Sequence, residues 1–151
     1  FIIALIVFSI DRLSKWWFID IFKLPAKGTV EIFNIFDVVM VWNRGVSFGF
    51  LSASDDVGRW ALVGLNLIIV TVLIYWLKSA KNYNLSGAIG LIIGGACGNI
   101  YDRVKFGAVA DCFQFHWEDW YFAVFNFADS FIFIGAMLLI FNSNFRSDSK
   151  N

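Results

Sequence analysis

The sequence predicts a membrane protein, mainly α: a four-transmembrane-helix bundle with a small β-sheet at the membrane surface and an aromatic interfacial flap. Three observations predict this. The 151 residues are 59% hydrophobic and 16% charged, with 18 Phe and 7 Trp, more apolar side chain than a soluble core of this size can hide. Runs without charge recur at about the length that crosses 30 Å of hydrocarbon. Between the first two runs lies a stretch rich in β-branched and aromatic residues, which favours strands. A single Pro and the lack of any Ser- or Gly-rich linker leave one membrane-embedded domain, 1–151.

The first span covers about 1–22. It is apolar but interrupted by Asp11, Arg12, Lys15 and Asp20. No small-x-small cleavage site follows it, so it reads as a retained span rather than a signal peptide. The β excursion covers about 28–50 and includes "TVEIFNIFDVVMVWN". Span two is 60–77, "WALVGLNLIIVTVLIYWL", and the polar turn "KSAKNYN" joins it to span three, 85–101. Gly90, Gly94 and Gly98 recur every four residues there, a ridge that admits another helix closely and puts span three near the centre. Span four is about 123–141, with Asp129 its only charge. Ahead of it, "FQFHWEDWYF" at 113–122 suits an interfacial flap, since Trp and Tyr favour that zone.

Twelve basic and twelve acidic residues cancel without a basic block, which disfavours nucleic acid as a partner. Two cysteines, Cys97 and Cys112, are too few for a disulfide framework. Cys112 and His116 are spaced to ligate a metal from one side, but no other His and no CxxC pair exists, so no metal site is expected. No cofactor is expected either. Lys and Arg do not favour the side that holds the termini, so charge leaves the orientation open.

The polar residues inside apolar runs carry the functional argument. Asp11 and Lys15 form an i, i+4 pair that reads as structural. Asn99, Asp102 and Arg103 share one helical face; Asp102, beside Arg103 and Lys105, reads as a paired cap, and Asn99 as an amide in need of partners. Asn43, Arg44 and Gly45 read as a turn ending a strand. Asp111 and Asp129 differ, because neither has a Lys or Arg within four residues. Asn126 lies one turn before Asp129. If the chain after span three folds back over the bundle, Asp111 reaches the mouth of span four. Two adjacent carboxyls share one proton, which suits an aspartic-protease dyad. A proton relay in a small proton-coupled membrane transporter is the alternative, and a purely structural subunit a third.

Taken together, "DRLSK", "NRGVSFG", "GGACGNIYDRVKFGAVADCF" and "FNFADSFIFIG" resemble the lipoprotein signal peptidases, or signal peptidase II, over nearly the whole chain. The resemblance implies a four-span aspartic protease of the bacterial cytoplasmic (inner) membrane. Both ends would face the cytoplasm, with the sheet and active site toward the outer face. It implies cleavage of lipidated prolipoproteins before a diacylglyceryl-modified cysteine, by a monomer in contact with membrane phospholipid. Carried over by motif, Asp111 and Asp129 are the dyad and Asn99, Arg103 and Asn126 support it. Asn43 and Gly45 belong to a substrate-facing loop, and Asp11, Lys15 and Asp102 are structural. The sequence departs from the family at Cys112, where an aromatic is usual; Phe113 is expected to supply that packing.

Overall fold

The computed structural model describes residues 1–46, 51–52 and 56–148. Helix α1 (Ile2–Trp16) buries Ala4, Val7, Asp11 and Lys15, which fall about one turn apart on a single face. That face is apolar at its start and charged at its end. Ile2, Leu5, Ile6 and Leu13 on the other faces stay exposed. A π-helical turn, Trp17–Ile21, and a single helical turn, α2 (Leu24–Lys27), then lead into the excursion.

Strands β1 (Val30–Phe33) and β2 (Phe36–Asn43) form the first hairpin, and β3 (Gly45–Val46) pairs with β4 (Leu51–Ser52) separately. The turn expected at Asn43 to Gly45 is present: β2 ends at Asn43, and Gly45 takes φ 146°, which glycine tolerates. The end of the expected excursion, 47–50, lies outside the described residues.

Three long helices follow: α3 (Asp56–Ser79), α4 (Tyr83–Phe106) and α5 (Phe127–Asp148). Helix α4 packs against α1, α3 and α5, and glycine is the reason it can. A Cβ on Gly94 would lie 2.6 Å from the Ala4 carbonyl oxygen, and one on Gly95 would lie 2.5 Å from that of Ala128. The backbone of α4 therefore touches the backbones of α1 and α5 through two consecutive glycines, which face about 100° apart. Helix α4 also runs past 101, the end expected from its charge-free stretch. Arg103 and Lys105 suit the last turn of a helix, and Gly107, at φ 77°, closes it by donating its N–H to the Arg103 carbonyl at 3.1 Å.

The sheet is larger than the excursion. Strands β5 (Val109–Trp117) and β6 (Trp120–Tyr121) come from the segment after α4, and the order is β1-β2-β5-β6, all antiparallel. The segment expected as a flap is thus the second half of β5 and its hairpin. Residues just after the hairpin return along β5: the Phe122 N–H donates to the Phe115 carbonyl at 2.8 Å, and Phe113 and Phe125 exchange hydrogen bonds at 2.9 Å. This pairing delays the start of α5 to Phe127. Leu24, Val38 and Cys112 form a small core under the sheet.

The distribution of polarity is inverted relative to a soluble protein. Asp11, Lys15, Asn99, Asp102, Asp111 and Asn126 are buried, while Leu65, Ile68, Val72, Phe133 and Leu138 are exposed. Among the described residues α3 is the one helix long and apolar enough to cross a membrane by length and composition, with a mean hydropathy of 2.2. Helix α1, with 15 residues, is too short, and glycines and a polar end lower α4.

Candidate active site

Asp111 reaches the site from β5. Val41 faces Asp111 across the β2–β5 ladder and Asn43 faces Val109, so Asn43 and Asp111 are diagonal neighbours on one face. The Asn43 Nδ2 donates to Asp111 Oδ2 at 3.0 Å, and its Oδ1 accepts the Gly45 N–H at 3.0 Å. The turn at the end of β2 thus fixes the amide that holds the carboxyl.

Asp129 arrives on the first turn of α5, and Asn126 caps that helix. The Asn126 Oδ1 accepts the Asp129 N–H at 2.9 Å, and Asp129 Oδ2 accepts the Asn126 N–H at 3.2 Å, a reciprocal capping box. The Asn126 Nδ2 is left to donate elsewhere. It lies 2.7 Å from Asp111 Oδ1 and 3.2 Å from Asn99 Oδ1. Asn99 completes the circuit, its Nδ2 donating to Asp129 Oδ1 at 2.8 Å. Two carboxyls from different elements are therefore joined through two asparagines.

Asp111 is 1% exposed. Burial, with the nearby Asp129 as the second cause, pushes its carboxyl up to about 6, against the lowering effect of the hydrogen bonds from Asn43 and Asn126. Such a group can hold a proton near neutrality, as acid–base chemistry requires.

Behind the two aspartates lies a cluster of four charges, the buried Asp11, Lys15 and Asp102 and the partly buried Arg12. Arg12 contacts Asp11 and Asp102 at 2.6 Å each, and Lys15 contacts Asp11 at 3.0 Å and Asp102 at 2.6 Å. Asp11 and Lys15 are thus paired as expected. Asp102 draws its partners from α1, whereas the sequence suggested Arg103 and Lys105 beside it. Arg12 was not singled out from sequence, although its place next to Asp11 in "DRLSK" was the available signal.

Arg103 stands apart from this network. Among the described residues it makes a long 3.5 Å contact to the Asn99 carbonyl, and its buried Nε has no partner. Cys112 and His116 do not converge. Burial pushes the Cys112 thiol up to about 12, and it packs in the core with Leu24 and Val38, while the His116 Nε2 lies 3.4 Å from Asp37. Phe113 supplies the aromatic packing expected of it, its ring 4.9 Å from that of Phe127 and 5.6 Å from that of Phe18.

Beside Asp129 opens an apolar cavity of 520 Å³, lined by Phe115, Trp120, Phe122, Phe125, Ser130, Phe133 and Ile134. An acidic pair at the edge of an apolar, partly open cavity can activate water against a substrate that is itself largely apolar.

The family model described as Signal peptidase (SPase) II matches residues 3–145. Lipoprotein signal peptidases of Beijerinckia indica and Methylocella silvestris are 39% and 38% identical, covering 93% and 95% of this chain and 84% of each relative. That of Rhizorhabdus wittichii is 42% identical over 91% of this chain and 81% of its own. A bacterial membrane enzyme solved at 2.3 Å matches with a TM-score of 0.84 at 27% identity, over 99% of this chain and 90% of that one. Another, solved at 1.9 Å, matches with a TM-score of 0.80 at 28% identity, over 93% and 89%. The transporter reading finds no support among them. With the match running from α1 well into α5, the chain belongs to the signal peptidase II family.

Proposed function

We propose that the chain is an aspartic endopeptidase that removes the signal peptide from bacterial prolipoproteins, cutting before the diacylglyceryl-modified cysteine. The observation that carries this reading is the frame around Asn126. Its side chain donates to Asp111 and its N–H to Asp129, so the carboxyls are held as a pair. Neither carboxyl is hydrogen-bonded to a Lys or Arg among the described residues, which leaves the pair free to share a proton.

In the singly protonated dyad Asp111 holds the proton and Asp129 is the base. Asp129 takes a proton from water as the water oxygen bonds to the scissile carbonyl carbon. The proton on Asp111 passes to the peptide nitrogen as the C–N bond breaks. The signal peptide leaves with a new carboxyl end and the cysteine with a free amine. Asn99, Asn126 and Asn43 orient the two acids, and Gly45 belongs to a loop that meets the substrate. The Arg103 Nε, without a partner among the described residues, is available to donate to a backbone carbonyl of the substrate.

The same reading assigns the apolar cavity to the substrate's hydrocarbon and the β5–β6 hairpin to an interfacial flap. It makes α1, α3, α4 and α5 four spans of the inner membrane in a single domain, 1–151, acting as a monomer among phospholipids. The ends lie in the cytoplasm and the sheet outside. The inverted polarity supports this, because Asp11, Arg12 and Lys15 of α1 pair with one another and with Asp102 of α4 inside the bundle while apolar side chains face outward.

The test is cleavage of a diacylglyceryl-modified precursor in vesicles by Asp111→Asn and Asp129→Asn. Each is expected to abolish cleavage while remaining inserted and folded. Near-normal turnover by either would reject the dyad.

A further inference from the structure

We infer that Arg12 is a positioning residue for the dyad, setting the gap between its two carboxyls through Asp11 and Asp102. This inference rests on the proposed dyad. Asp11 and Asp102 are used in the same way. Each gives one oxygen to Arg12: Asp11 Oδ2 meets Nη2 at 2.6 Å and Nε at 3.2 Å, and Asp102 Oδ1 meets Nη1 at 2.6 Å. Each gives its other oxygen to Lys15 and to one peptide N–H. Asp11 Oδ1 accepts the Ala128 N–H at 3.2 Å, and Asp102 Oδ2 accepts the Ala110 N–H at 3.3 Å. Ala128 immediately precedes Asp129, and Ala110 immediately precedes Asp111. The two acids of the cluster thus hold the backbone just ahead of the two acids of the dyad.

The guanidinium spans both because it is a rigid planar fork whose nitrogens point at separate acceptors. Lys15 also touches both acids, but an ammonium is a point charge on a flexible stem and fixes no separation. Arg12 is further seated over the Tyr101 ring, its Cζ 4.6 Å from the centroid. The bland alternative is that Arg12 only balances charge and ties α1 to α4. Two acids and two bases do sum to zero, so charge and geometry must be separated by experiment.

The charged and titratable groups around the dyad are Asp11, Arg12 and Lys15 from α1, Asp102 and Arg103 from α4, and Cys112 from β5. Arg12→Gln leaves this set one unit more negative, which favours the protonated dyad. Both limbs of the pH–rate profile should move to higher pH by roughly half a unit. Arg12→Lys keeps the charge but not the fork. Its limbs should stay in place while kcat falls by roughly tenfold with little change in KM, because the reacting groups are displaced rather than discharged.

The experiment is steady-state cleavage of the lipidated precursor by both variants, normalised to the folded fraction, across the pH range where each stays folded. A wild-type kcat in Arg12→Lys would overturn the inference and leave Arg12 a role in charge balance alone, which the limb shift of Arg12→Gln reports. Should Arg12→Gln fail to fold, Arg12→Lys decides alone. Cleavage by Asp111→Asn, run alongside, would instead indict the dyad, so the two failures are distinguishable.

Discussion

Asn126 and Asp129 hold one another at the head of α5, each accepting the other's backbone N–H, at 2.9 Å and 3.2 Å. Helix capping and site assembly are therefore one arrangement, and substitution can divide them. Asn126→Ser keeps a capping oxygen but loses the amide that donates to Asp111. It should melt close to the parent, while Asn126→Ala loses the cap and about 1 kcal/mol of stability. Both should cleave roughly a hundredfold more slowly, since the two acids are no longer held in register. Thermal melts and single-turnover cleavage measure the two effects. Normal turnover in Asn126→Ser would show that the amide bridge is not needed.

Cleavage should follow a bell-shaped pH profile. The low-pH fall reflects protonation of the base, and the high-pH fall reflects loss of the Asp111 proton. Burial raises that carboxyl to about 6, so the alkaline limb of kcat/KM, which reports the free enzyme, should lie near this value. Substrate excludes more water and raises it further, so the limb of kcat should lie higher. The sign for stability follows. A folded-state value above the ordinary one means that Asp111 contributes stability below pH 3.8, lost as pH rises through about 6. Profiles of kcat and kcat/KM that stay flat while the enzyme remains folded would refute a shared proton.

The lipid on the substrate should matter for rate. Each buried CH₂ contributes about 0.8 kcal/mol, so two acyl chains anchor the cysteine and set the height of the scissile bond. A precursor with an unmodified cysteine, in the same vesicles, should be cut far more slowly. Trp120→Ala and Phe122→Ala, which open the wall of the cavity beside Asp129, should slow cleavage of the lipidated form more than that of the unmodified one. Equal rates for both precursors would remove lipid positioning from the account.

Topology is open to direct labelling. In a Cys-free background, a cysteine at Lys81 should be shielded from an impermeant thiol reagent added outside. One at Glu118, in the hairpin turn between β5 and β6, should react. External labelling at position 81 would invert the arrangement.

Asp111 and Asp129 were legible because an acid in an apolar run, without a base nearby, has no inexpensive structural explanation. Asn99 was legible for a related reason, as a buried amide requires partners, and Asn126 through its place one turn before Asp129. The sheet was legible only in part. Asn43 and Asp111 are 68 residues apart in sequence, and no local pattern announces that a segment after α4 will pair with β2. Its odd residues, among them Asp111, Phe113 and Phe115, share a face, but the acid on that face and the apolar Ala110 and Cys112 on the other blur the alternation. Arg12 escaped because a cation beside an acid normally satisfies its neighbour. Its second partner, Asp102, lies 90 residues away.

The glycine ridge of α4 ends on Gly98, where an added Cβ would lie 2.5 Å from Asp11 Oδ2. The carboxylate under threat is the one that accepts the Ala128 N–H from α5. Helix approach and the alignment of the proposed dyad thus meet in a single contact. Enlarging this residue cannot loosen the bundle without also disturbing the chemistry. An engineer seeking a more robust version of this chain therefore has no independent adjustment here, and must look for gains on the lipid-facing surfaces instead.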